Sequence, residues 1–112
     1  MVWRGVLIRE SIEDDSLLMY IQIASEDANL LKIEVKDEDK DIFVESALKF
    51  LKQRFYVYIV KEGVMYVIFK NHMFKFSKGY PELDFAREHG RKLGIPYSKM
   101  RFEKLLDNPW NL

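Results

Sequence analysis

Strict alternation of apolar and polar positions predicts three strands in the first third of the chain. The residues from 30 to 36 alternate most regularly, with an apolar side chain at every second position and lysine or glutamate between them. Segments 2–9 and 17–24 alternate in the same way, and polar turns separate the three segments. A period of two is typical of strands with one buried face. The pattern therefore predicts an antiparallel meander.

A change of period after residue 36 predicts an amphipathic helix. Its apolar residues recur at helical spacing: Val44, Ala47, Leu48, Leu51 and Phe55. Asp37 or Asp39 is suited to cap the start, and the acidic cluster at 37–41 lies at the positive end of the helix dipole. Capping of the helix and interaction with its dipole are sufficient to explain the acidic residues at 37–41.

Two apolar segments, 55–61 and 64–70, are joined by Glu62-Gly63 and predict a tight hairpin. In the expected register Lys61 faces Val64 and Tyr58 faces Val67, and a turn at Asn71-His72 continues the sheet through Phe74 and Phe76. One face of this ribbon is then core. The other face is also apolar, so it requires a second helix layer or a partner subunit; we assign it to a partner interface formed by Val57, Ile59, Tyr66 and Ile68.

The last third of the chain predicts two helices. Pro81 is suited to the first position of a helix that ends before Gly94, and a short helix follows Ser98. Trp110 and Leu112 are expected to pack on the core. The predicted fold is α+β, with one or two antiparallel sheets of about six strands in βββα-βββαα order, helices packed on the sheet, and residues 1–112 in a single domain. The two halves share this element order but little side-chain identity.

Composition narrows the class of protein. The chain has no cysteine, which excludes disulfides and thiolate metal sites, and its few amides and many charges are typical of heat-stable proteins. The first residues do not form a secretory signal, so the sequence predicts a cytoplasmic protein that does not enter a membrane.

The net charge is zero, but residues 1–45 carry −7 and the rest +7. Such a split can draw the two halves of the chain towards each other or draw in a partner.

Residues that commonly carry chemistry do not combine into a motif. His72 and His89 have no further ligand nearby in the sequence and are interpreted as surface residues. The acidic segments 13–15 and 37–41 lack the spacing of a calcium loop, and no serine lies in a Gly-x-Ser-x-Gly elbow. We therefore predict no catalytic residue, no cofactor and no metal, and a small enzyme is the least favoured class.

A basic and aromatic segment at 70–80 carries the second functional hypothesis, binding of RNA or DNA. Lysines there would contact phosphates, exposed rings would stack on bases, and the following helix would extend the cationic patch. The residues assigned to nucleic acid are Lys70, His72, Lys75, Lys78, Arg87, Arg91 and Lys92. Against this, Phe74 and Phe76 fall on the core face.

The leading functional prediction is a non-catalytic protein-interaction or assembly module, with a homodimer expected. It depends on the second apolar face and on the −7/+7 charge split. RNA or DNA binding through the 70–80 segment is the alternative.

Overall fold

The computed structural model describes residues 1–111, which form one six-stranded antiparallel sheet with helices on both faces. The sheet order is β2-β3-β1-β4-β5-β6. The strands are β1 (Val2–Ile8), β2 (Gln22–Asp27), β3 (Leu30–Lys36), β4 (Tyr56–Lys61), β5 (Val64–Phe69) and β6 (His72–Ser77). The helices are α1 (Lys40–Phe50), α2 (Pro81–Lys92) and α3 (Phe102–Asp107), with short 3-10 helices at Arg9–Ser11, Asp15–Tyr20, Asp37–Asp39 and Tyr97–Lys99. The predicted fold class is confirmed.

Turn chemistry fixes the register of the second half of the sheet. Lys61 pairs with Val64 across the Glu62-Gly63 turn, and Tyr58 pairs with Val67, as predicted. Both turn residues have positive φ, as a two-residue hairpin of this type requires. The next turn lies one residue earlier than expected, at Lys70-Asn71, so His72 is the first residue of β6.

The first half of the sheet is not the predicted meander. Segment 15–20 forms a 3-10 helix, whose start is capped by the Asp14 side chain accepting a hydrogen bond from Ser16 N, and β2 begins only at Gln22. Leu17 of the 3-10 helix is fully buried against the α1 side of the sheet. Because this segment packs on the core instead of turning back, β3 and not β2 pairs with β1.

The sheet has a core on each face. On the α1 face, α1 contributes Phe43, Val44 and Ala47 to a cluster that includes side chains of β1, β3, β4 and β5. On the opposite face, which we call the α2 face, α2 and α3 cover β4, β5 and β6 and reach Val6 of β1.

The four side chains assigned to a partner interface belong to the first of these cores. Val57, Ile59 and Ile68 have no exposed surface and Tyr66 is 7% exposed, all within one chain. The second apolar face is therefore real, but α1 covers it. Of the two covers that the sequence allowed for these residues, a helix layer and a partner subunit, the structure has the helix layer, so their apolar character gives no reason to expect association through them.

The C-terminal third follows the predicted signals. Pro81 is the first residue of α2, and Gly94 has a φ of 93° directly after that helix. Trp110 is partly buried against the α2-face core, as expected, whereas Leu112 lies outside the described residues. Within residues 1–111, no helix has both the length and the apolar content needed to cross a bilayer.

Candidate functional site

Within residues 1–111, no helix packs on the half of the α2 face that β2 and β3 form. The side chains that β2 and β3 present there are exposed or half-buried: Gln22, Ser25, Asp27, Leu30, Lys32, Glu34 and Lys36. All six residues of β2 are exposed, and β2 is the edge strand. A solvent-open concave region thus lies between the sheet edge and the C-terminal segment.

An apolar cavity of about 320 Å³ lies at the inner boundary of this region. Its floor comes from three neighbouring strands and its wall from the 3-10 helix at Tyr97–Lys99. Leu30 is 37% exposed here, an unusual position for a leucine on a strand next to a core. The lining residues are Val6, Ile8, Leu30, Tyr56, Tyr58, Ser98 and Lys99.

Two tyrosines hold the wall of the cavity against the sheet. The Tyr56 hydroxyl donates a hydrogen bond to the Lys99 carbonyl oxygen, and the Tyr58 hydroxyl donates to the Pro109 carbonyl oxygen at 2.5 Å. Burial raises the pKa of both phenols above the usual value, so both remain donors at neutral pH. The sheet therefore positions a segment more than 40 residues away along the chain.

A second cavity, of about 270 Å³, continues the apolar one towards the edge strand. The two share Val6 and Leu30. Trp110 forms its wall, because the indole Nε1 donates to the Ile33 carbonyl oxygen at 3.3 Å and the Arg4 guanidinium lies 5.1 Å from the ring centroid. Asp27 and Lys32 bring one charge of each sign to this end, and the full lining is Val6, Ser25, Asp27, Leu30, Lys32, Trp110 and Asn111.

A third cavity, of about 340 Å³, is basic. It shares Ser98 and Lys99 with the apolar cavity, and Arg101 and Lys104 add two further cations. All three cationic residues are exposed, and none forms an ion pair with a side chain of residues 1–111. We call the three adjoining cavities together the groove.

Most of the cations assigned to nucleic acid are engaged with carboxylates. Lys70 lies 2.6 Å from Glu13, Lys78 lies 2.7 Å from Asp107, and the remaining pairs are Arg87 with Glu103 and Arg91 with Glu88. Each such contact offsets the positive potential that a phosphate would meet. Phe74 is partly buried and Phe76 is 2% exposed, so both rings pack on the core face, as predicted.

The remaining members of that set do not form one patch. Lys75 pairs with Tyr66 and projects on the α1 face, with its ammonium 5.6 Å from the Tyr66 ring centroid. Lys92 is exposed at the end of α2, on the other side of the sheet. His72 stacks on His89, with ring centroids 4.7 Å apart. The histidines are therefore partners of each other, which the sequence interpretation missed.

The acidic segments have structural partners. Asp37 accepts hydrogen bonds from Trp3 Nε1 at 2.8 Å and from Lys61 Nζ at 2.5 Å, and the Lys61 contact is the main cause of the lowered pKa of this carboxyl. Across the part of the chain that the structure describes, histidines and carboxylates do not gather in a group of three or more that would suit a metal ion.

Comparison with family models, with curated proteins and with solved structures finds no match to this chain. The groove was not predicted from the sequence, because its residues come from β1, β2, β3, β4 and the segment after α2. One weak signal was present: Lys99, Arg101 and Lys104 lie close together with a single acidic residue among them.

Proposed function

We propose that this protein is a non-catalytic protein-interaction module that binds a segment of its partner in the groove. The observation that carries the proposal is an open apolar cavity, floored by strands and held in shape by two tyrosine hydrogen bonds, beside cations that form no ion pair with a side chain of residues 1–111. Such a surface joins apolar burial with charge, the combination used by peptide-binding sites.

The shape of the groove favours a chain segment over a compact ligand. Small-molecule sites are usually enclosed and bury most of the ligand surface. Here three moderate cavities, of about 270, 320 and 340 Å³, adjoin one another and open to solvent. Several shallow subsites in a row suit successive side chains of an extended peptide.

A peptide selection tests this proposal. Short random peptides displayed on phage are selected on the wild-type chain and counter-screened on Leu30→Gln, which removes an apolar side chain shared by two cavities. Ile42→Gln on α1 is the matched control, because Ile42 is also an exposed apolar residue, 46% exposed, but on the other face. Equal urea midpoints of the two variants establish that both fold.

We expect peptides that bind the wild-type chain and Ile42→Gln and lose most of their binding to Leu30→Gln. Peptides that bind Leu30→Gln as well as the wild-type chain, or a selection without enrichment, would overturn the proposal. The partner in an assembly module is a second copy of the same chain, and light scattering tests for such a homodimer. A dimer that dissociates in Leu30→Gln means that the segment in the groove belongs to the second copy.

A further inference from the structure

We infer, on the basis of the proposed function, that the groove selects an acidic segment carrying an aliphatic side chain. The aliphatic residue would enter the apolar cavity, and carboxylates beside it would contact the basic cavity. Within residues 1–111, three features of the groove carry this choice: the cations that form no ion pair, the chemistry of the floor, and the position of Asp27, the one acidic residue of the lining.

The basic cavity provides the charge complementarity. Lys99, Arg101 and Lys104 surround one cavity, and none of the three forms an ion pair with a side chain of residues 1–111. Elsewhere in the second half of the chain, Lys78, Arg87 and Arg91 are paired with carboxylates. The cations of the basic cavity therefore attract a negatively charged partner, an effect that screening by salt weakens.

The floor distinguishes an acidic peptide from a nucleic acid. Val6, Ile8 and Leu30 are aliphatic, and they offer no flat surface on which a base stacks. The Tyr58 ring is 1% exposed, and the Tyr56 ring lies against Tyr58, Phe69 and Phe102. An aliphatic floor, beside a buried Tyr58 and a partly buried Tyr56, suits a leucine or isoleucine side chain.

The position of Asp27 gives the segment a direction. The apolar cavity adjoins the basic cavity through Ser98 and Lys99, and it adjoins the cavity that holds Asp27 through Val6 and Leu30. The charges of Asp27 and Lys32 oppose each other at this end, so it attracts a carboxylate less strongly than the basic cavity does. The preferred segment therefore has its carboxylates on one side of the aliphatic residue.

Fluorescence anisotropy with labelled peptides tests the inference. The probes are a glutamate-rich peptide with one central leucine, the same peptide with every Glu replaced by Gln, the same peptide with Leu replaced by Ser, and a single-stranded oligonucleotide. The proteins are the wild-type chain, the triple variant K99E/R101E/K104E and the control K49E/K52E/K75E. The control makes the same change in net charge with exposed lysines of the α1 side.

We expect the acidic leucine peptide to bind the wild-type chain, and the Gln and Ser versions to bind at least about tenfold more weakly. The triple variant should lose the preference for the acidic peptide, and the control should keep it.

If the Gln version binds as tightly as the Glu version, the preference for an acidic segment is refuted, and the proposed function still stands. Tighter binding of the oligonucleotide, abolished in K99E/R101E/K104E, would make the partner a nucleic acid and overturn the inference. Binding of none of the probes overturns it too, and the peptide selection then decides the proposed function separately.

Discussion

His72 and His89 stack on each other at the contact between β6 and α2, with ring planes 24° apart. Phe69 meets the His89 ring edge-on at 4.7 Å, and Phe74 lies 4.6 Å from the His72 ring. Burial, the neighbouring His72 and Lys92 lower the pKa of His89, in that order of size. The folded chain therefore favours the neutral form of the His89 imidazole.

Stability should depend on pH through this pair. The pKa of His89 is lower in the folded than in the unfolded chain, so its contribution is complete above the unfolded histidine pKa, about 6.5, and is lost as pH falls below that value towards the folded pKa. The urea midpoint of the wild-type chain should fall between pH 8 and about pH 5.5. His89→Gln should reduce this fall, and His72→Asn should reduce it partly because burial still acts on His89. An equal fall in all three proteins would contradict this explanation.

The centre of the sheet should not tolerate a side chain at Gly5. A Cβ at this position would lie 1.8 Å from the Tyr58 carbonyl oxygen, which β4 holds in place. We expect Gly5→Ala to destabilise the fold by about 3 kcal/mol or more, because β1 and β4 must separate.

Gly90→Ala should destabilise the fold less than Gly5→Ala. A Cβ at Gly90 would meet the flexible end of the Met100 side chain at 2.4 Å, and alanine favours a helix. Equilibrium unfolding in urea measures both; a Gly5→Ala protein as stable as wild type would refute the close approach.

The hydrogen bond from Tyr58 to Pro109 should hold the wall of the groove. Tyr58→Phe removes the donor and leaves the ring in place, so we expect a loss of about 1 kcal/mol in stability. Amide hydrogen exchange should become faster in residues 108–111 and stay unchanged in α1. Exchange that rises equally in both segments would mean a general loss of stability and not a local release.

Local signals in the sequence predicted the second half of the sheet well. The Glu62-Gly63 turn allows one close pairing of β4 with β5, so the register followed from the turn. Pro81 and Gly94 marked the ends of α2 for equally local reasons. These features depend on neighbours in the chain, which a sequence displays directly.

Other features depend on contacts between distant residues. Alternation at Met19, Ile21 and Ile23 predicted a strand, but burial of Leu17 against the core makes residues 15–20 a 3-10 helix. The face that carries Val57 was correctly predicted to need a cover, yet the sequence does not say on which face α1 packs. The groove could not be predicted, because it exists only where the sheet and the C-terminal segment meet.

The most direct test of the central claim is a nuclear magnetic resonance titration of the wild-type chain with the acidic leucine peptide. If the peptide binds in the groove, the largest changes in amide chemical shift fall at Val6, Leu30 and residues 98–105, and the amides of α1 do not change. Changes concentrated on α1 or on the β6–α2 contact, or no changes at saturating peptide, would contradict it.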